Sequence, residues 1–277
     1  MSTNPSPPLL PGPDTDPGQP FITHLIELRD RLIRAIIAIL VVFAALCVWP
    51  SPSGMYDLLA APLVSHFPVG THLIATSVIS PIVVPIKITL LAAFFVALPY
   101  VLFQMWSFIA PGLYNHEKKA VMPLVVASTL LFFAGVAFCF FLVIPSMSKF
   151  IQSWAPASIT AAPDIEQYFS FVLTLFVVFG CAFEVPIVVI GLAQLGLVSV
   201  QQLKSFRGYF IVVAFVVSAL VTPPDVLSQL ALAIPMIMLY QIGIWFVQMT
   251  QRQKKEAEAQ AEEASESRDL TAPGEQP

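Results

Sequence analysis

The chain reads as an all-α polytopic membrane protein with six transmembrane helices. Three observations say so: an excess of apolar residues, six long apolar stretches, and a lopsided distribution of Lys and Arg. Apolar side chains make up 57% of the 277 residues and charged ones only 11%, against about 25% charged in soluble domains. A water-facing core cannot bury that much apolar surface and still cover itself with polar groups. Lipid as the solvent removes the conflict. Helices are the expected spanning element, because an open strand leaves backbone groups unpaired in hydrocarbon. A β-barrel needs alternation, and these runs are continuous.

A helix needs about 20 apolar residues to cross about 30 Å of hydrocarbon. The first stretch, 32–49, ends in Trp-Pro-Ser-Pro rather than a small-residue cleavage site, so it reads as a retained span and not a signal peptide. The second, 82–103, is interrupted by Pro85 and Pro99; the third, 122–144, is expected to stop at Pro145. The fourth, 169–192, contains Glu184 and Pro186. The fifth, 209–221, is short, about 20 Å as a helix, and Thr222-Pro223-Pro224 ends it. The sixth, 226–247, is broken by Pro235 and carries Gln229 and Gln241. Two short C-terminal spans are therefore expected.

Lys and Arg set the orientation. Arg29, Arg31, Arg34, Lys118, Lys119, Lys204, Arg207, Arg252, Lys254 and Lys255 flank one side, and Lys149 alone flanks the other, with Lys87 just inside the second span. Both termini are thus expected to be cytoplasmic. Residues 1–20, with seven prolines, read as a disordered tail; 21–249 form the six-span domain. Residues 250–277 read as a second, acidic disordered tail with seven acids from Glu256 to Glu275.

Much is excluded. Cys47, Cys139 and Cys181 sit singly in apolar runs, which argues against a disulfide framework. His24, His66, His72 and His116 have no metal-ligand spacing, so no metal or cofactor is expected. There is no phosphate-binding Gly-x-x-x-x-Gly-Lys loop, no Gly-x-Ser-x-Gly elbow and no His-Glu-x-x-His. Enzyme and nucleic-acid roles are not expected. Work must come from binding energy, partners or a transmembrane gradient.

Few residues stand out. In 21–32, Leu25, Leu28 and Leu32 share a helical face while Glu27 and Arg31 are four apart. An amphipathic helix at the interface is one meaning; an acid awaiting a cationic partner is the other. The loop after the second span holds Phe108, Pro111-Gly112, Glu117, Lys118 and Lys119, where a carboxylate beside lysines is often only a solvated pair. Glu184 lies at membrane depth, where an acid costs about 2.5–3.5 kcal/mol on insertion scales. It serves as a proton-relay or substrate residue, or caps backbone freed by Pro186. Gln229 and Gln241 suit helix–helix hydrogen bonds, and Asp225 suits the N-cap of the sixth span.

Four motifs in order carry a resemblance: Phe-Ile-Thr-His-Leu-Ile-Glu-Leu-Arg-Asp-Arg-Leu at 21–32, Phe-Ile-Ala-Pro-Gly-Leu-Tyr-Asn-His-Glu-Lys-Lys at 108–119, Phe-Glu-Val-Pro at 183–186 and Thr-Pro-Pro-Asp at 222–225. Together they resemble the TatC family, the multi-spanning subunit of the Sec-independent, twin-arginine protein translocase, over about 21–247. The resemblance implies a cupped six-helix bundle with both termini cytoplasmic. It also implies recognition of twin-arginine signal peptides and export of folded cargo by the proton-motive force, with TatA and TatB as partners and several copies in the complex. It points to Glu27, Arg29, Phe108 and Glu117 for signal-peptide binding. Pro62, Glu184 and Asp225 match functional positions of the loops and fourth span, and Thr222 and Gln229 match the contact site for TatA or TatB. A small-solute transporter using Glu184 as coupling carboxylate remains the alternative; it calls for an internal repeat, which 32–144 and 169–247 do not provide.

Overall fold

A computed structural model describes residues 19–64, 73–109, 121–154, 163–194, 196–221 and 226–271. The described chain is helical, with one isolated parallel bridge between Ile74 and Asp164. The helices are α1 (Gln19–Val48), α2 (Pro52–Val64), α3 (Ser80–Ile109), α4 (Val121–Phe138), α5 (Ile144–Trp154), α6 (Ile165–Gln194), α7 (Val200–Ser205), α8 (Arg207–Val221) and α9 (Val226–Thr271). Five described stretches are long and apolar enough to cross a membrane: His24–Val48, Ser80–Ile109, Met122–Lys149, Ile165–Gln194 and Gln229–Gln253. The apolar helix α8, at 15 residues, is shorter, about 22 Å along its axis.

Three expectations need correction. The segment expected to lie along the interface is continuous with the first span in α1, because no Pro or Gly interrupts Phe21 to Val48. The third span does not stop at Pro145. A π-helical turn at Cys139–Val143, closed by the Ile144 N–H on the Cys139 carbonyl, leads straight into α5. Pro145 thus sits inside a continuous helical run, and the π turn directly before it makes the local adjustment that a missing N–H requires. Of the two short C-terminal spans only α8 is short: α9 runs on through the acidic stretch to Thr271. That stretch is rich in Ala, Glu and Gln, all strong helix formers, so the composition read as a disordered tail is helical to this point.

α6 is the central helix, packed against α4, α9 and α3, while α1 rests chiefly on α3. Phe169, Val172, Leu175, Phe176 and Phe179 of α6 meet Val84 and Ile88 of α3, Leu63 of α2 and Leu232 of α9 in the main core. Lipid provides no hydrophobic drive between helices, so close contact has to come from small residues. A side chain at Gly180 would overlap the Phe132 ring, and one at Gly135 would meet the Phe179 carbonyl, so α4 and α6 touch through these two glycines. Outward-facing Leu40, Val41, Leu130 and Leu220 are more than half exposed, as lipid contact requires. α6 ends in a left-handed Gly196, with Gly196 N–H on the Ala193 carbonyl and Leu197 N–H on the Leu192 carbonyl. This turn aims the chain into α7.

Candidate functional site

The first candidate region forms where the start of α1 meets the end of α3. α3 carries Phe108 one residue from its last described position, and α1 carries His24 one turn before Glu27. The two rings stack, with centroids 4.2 Å apart and planes 16° from parallel. Glu27 does not stand free: Arg31 donates to its Oε1 from Nε at 2.9 Å and from Nη2 at 2.6 Å, and His24 Nδ1 lies 4.0 Å from Oε2. Glu27 is therefore paired within α1 to Arg31, four residues on, rather than left open as an acid awaiting a cation. Arg29 turns instead to Asp30, at 2.8 Å, and both are exposed. Glu117 lies outside the described residues. His24 was not singled out from the sequence; its position three residues before Glu27 on the same face was the available signal.

The second region is in the middle of α6. Glu184 is 9% exposed, and the Ser128 hydroxyl is the polar group its carboxylate faces among the described residues. Ser128 belongs to α4, and its hydroxyl accepts from the buried Trp106 indole of α3 at 3.0 Å. Glu184 therefore does not hydrogen-bond backbone freed by Pro186; α6 continues through that proline. An acid buried at membrane depth is costly, and in membrane proteins such residues mark functional sites.

The remaining calls separate. Pro62 lies inside α2 with its side chain exposed. Gln229 of α9 donates Nε2 to the Phe215 carbonyl of α8 at 3.2 Å, joining the short helix to its neighbour. Thr222 and Asp225 lie outside the described residues. An open groove of about 460 Å³ among α2, α3, α4 and α6 is lined only by apolar side chains such as Leu59, Phe95, Phe140 and Phe176, and so carries no ionisable chemistry.

A polar cluster at the opposite end of α3 was missed in the sequence. Lys87 reaches Glu166 at 3.1 Å and Ser170 at 3.2 Å, and Ser80 donates to Glu166 at 2.7 Å. Next to it Asp164 caps α6, accepting from the Glu166 and Gln167 N–H groups at 2.9 and 3.0 Å. Its other oxygen accepts from the Thr76 hydroxyl at 2.6 Å and the Thr76 N–H at 3.0 Å. These bonds, the Thr76 hydroxyl foremost, pull the Asp164 carboxyl down to about 2. A lysine inside an apolar run with an acid opening a later span was the legible signal.

Comparison with known proteins agrees with this architecture. The family model described as Sec-independent protein translocase protein (TatC) matches residues 23–235. A TatC of Azotobacter chroococcum is 49% identical over 234 residues, covering 84% of this chain and 91% of that one. A TatC of Escherichia coli K12 is 47% identical over 228 residues, 82% of this chain and 88% of that one. A crystal structure described as the twin arginine translocase receptor TatC matches with a TM-score of 0.73 at 42% identity, over 82% of this chain and 99% of that one. Five apolar helices of spanning length, the helix order and these matches together make the chain a multi-pass membrane protein of the TatC family, a subunit of the Sec-independent protein translocase.

Proposed function

We propose that the chain is the core receptor of a twin-arginine translocation system. It sits in the inner membrane with both termini cytoplasmic, binds twin-arginine signal peptides at that face, and exports folded proteins with TatA and TatB using the proton-motive force. The supporting observation is the His24–Phe108 stack, which joins the α1 segment to the segment leading into 108–119. Guanidinium groups are always charged and fork onto carboxylates. Two adjacent arginines on an extended peptide suit two carboxylates on such a surface, Glu27 and Glu117, with Arg29 beside them. Phe108 offers a ring to the apolar part of the peptide or to a guanidinium.

The other positions divide the work. Glu184 acts after binding, in transport, and Pro62 and Asp225 act on the far side. Thr222 and Gln229 at the α8–α9 pair form the contact for a single-span partner, and several copies assemble in the working complex. The test is complementation. In a strain lacking its own TatC, expression of this chain restores export of a folded twin-arginine reporter. Export that also proceeds for a reporter with Lys-Lys in place of Arg-Arg would contradict the receptor role.

A further inference from the structure

We propose that the elbow between α6 and α8 binds the headgroup of an anionic phospholipid, with Lys204 and Arg207 as its cations. The elbow joins two apolar helices, so it emerges at a membrane surface, and its short helix α7 spans Val200–Ser205. From Val185 to Thr250 the sequence has no carboxylate except Asp225, which follows α8 at the end away from Arg207. The next charge along α9 is Arg252, another cation, and the first acid beyond it is Glu256. Among the described residues neither Lys204 nor Arg207 takes part in an ion pair.

Arg207 is also short of acceptors. Its Nε is buried and has no hydrogen-bond partner among the described residues. The charge of Arg207 is felt by the nearby Tyr240 phenol, whose hydroxyl donates to the Leu203 carbonyl at 2.9 Å. The Tyr240 ring lies stacked on Phe210 at 4.1 Å, so the surroundings of the guanidinium are aromatic and fixed. The Nε itself is enclosed, so a headgroup phosphate meets this guanidinium through its terminal nitrogens, the fork that suits phosphate.

The neighbouring surface has the right shape and polarity. A concavity of about 370 Å³ is lined by Ser199, Gln201, Gln202, Ser205, Phe206 and Tyr209. Phe206 and Tyr209 stack at 5.7 Å and are 50% and 70% exposed, as aromatic residues at headgroup level are. Along α8 from there, Val212, Val213 and Val216 stand exposed and offer an apolar track for acyl chains. Basic pockets between spanning helices bind anionic headgroups in this manner. A zwitterionic headgroup brings an ammonium against the two cations, and free phosphate has no chains to lay on α8.

The experiment is native mass spectrometry of the full chain released from neutral detergent with equal phosphatidylglycerol and phosphatidylcholine. The proposal expects preferential retention of phosphatidylglycerol. Lys204→Gln and Arg207→Gln should each lower that retention about fivefold, the effect of one cation near an anionic headgroup, with phosphatidylcholine unchanged. Excess inorganic phosphate should not displace the lipid. Equal retention of both lipids, or unchanged retention in Lys204→Gln, overturns the site; displacement by phosphate makes it a phosphate site instead. Lys204 is exposed, so that variant decides the matter even if Arg207→Gln fails to fold.

Discussion

The imidazole of His24 lies flat on the ring of Phe108, 4.2 Å between centroids, and fastens the start of α1 to the end of α3. Two segments more than eighty residues apart thereby form one surface. Aromatic pairs contribute about 0.5–1.5 kcal/mol beyond burial. Phe108→Ala is predicted to weaken binding of a labelled twin-arginine peptide to membranes carrying the chain by about two- to tenfold, without loss of insertion. His24→Phe, which keeps a stack, should retain most of the binding. Anisotropy titrations check both, and wild-type affinity in Phe108→Ala would count against the shared surface.

Arg31 holds Glu27 at 2.6 Å, so an incoming guanidinium must displace it. An ion pair four residues apart on one helix is worth about 0.3–0.5 kcal/mol. Arg31→Gln should therefore tighten peptide binding by about twofold, while Glu27→Gln loosens it. If Arg31→Gln leaves affinity unaltered across a range of salt concentrations, the two guanidinium groups do not compete for the same carboxylate.

Glu184 is buried with only the Ser128 hydroxyl beside it as a polar neighbour among the described residues. Glu184→Gln removes a group that carries a cost in hydrocarbon, and is expected to raise the melting temperature in detergent. Glu184→Ala is expected to reduce export while sparing peptide retention in a pull-down. A lost pull-down signal would move Glu184 into the recognition step.

Asp164 makes stability depend on pH in a definite direction. Its carboxyl titrates at about 2 in the folded chain and at about 3.9 when unfolded. A depressed folded value means a contribution fully present above about pH 4 and lost as pH falls toward 2. The gap in melting temperature between the wild type and Asp164→Asn should be constant from neutral pH to about 5 and close below about 4. A gap that persists unchanged at pH 2 would show that the Thr76 and N-cap bonds do not act through the charged carboxylate.

Five of the expected spans were legible because hydrocarbon imposes length and apolarity on each of them. What happens at Pro145 was not. Whether a proline ends a helix in a membrane depends on how neighbouring backbone is re-satisfied, and here the π turn at Cys139–Val143 does it. The helical run of α9 to Thr271 was hidden because charge and low hydrophobicity suggested disorder while helix propensity pointed the other way. The burial of Glu184 was readable from its depth in the fourth apolar run. The Glu27–Arg31 pair was readable from its four-residue spacing, whereas the partners of Phe108 and Lys87 were not, since His24 and Glu166 become partners only once helix packing is known.

The most direct measurement is site-specific photo-cross-linking of a twin-arginine peptide to the full chain in membranes, with probes placed in 21–31 and in 108–119. Adducts should form from both segments, fade together when the peptide carries Lys-Lys, and drop in Phe108→Ala. Adducts from neither segment, or equal yields with the Lys-Lys peptide, would contradict the surface built by α1 and the end of α3.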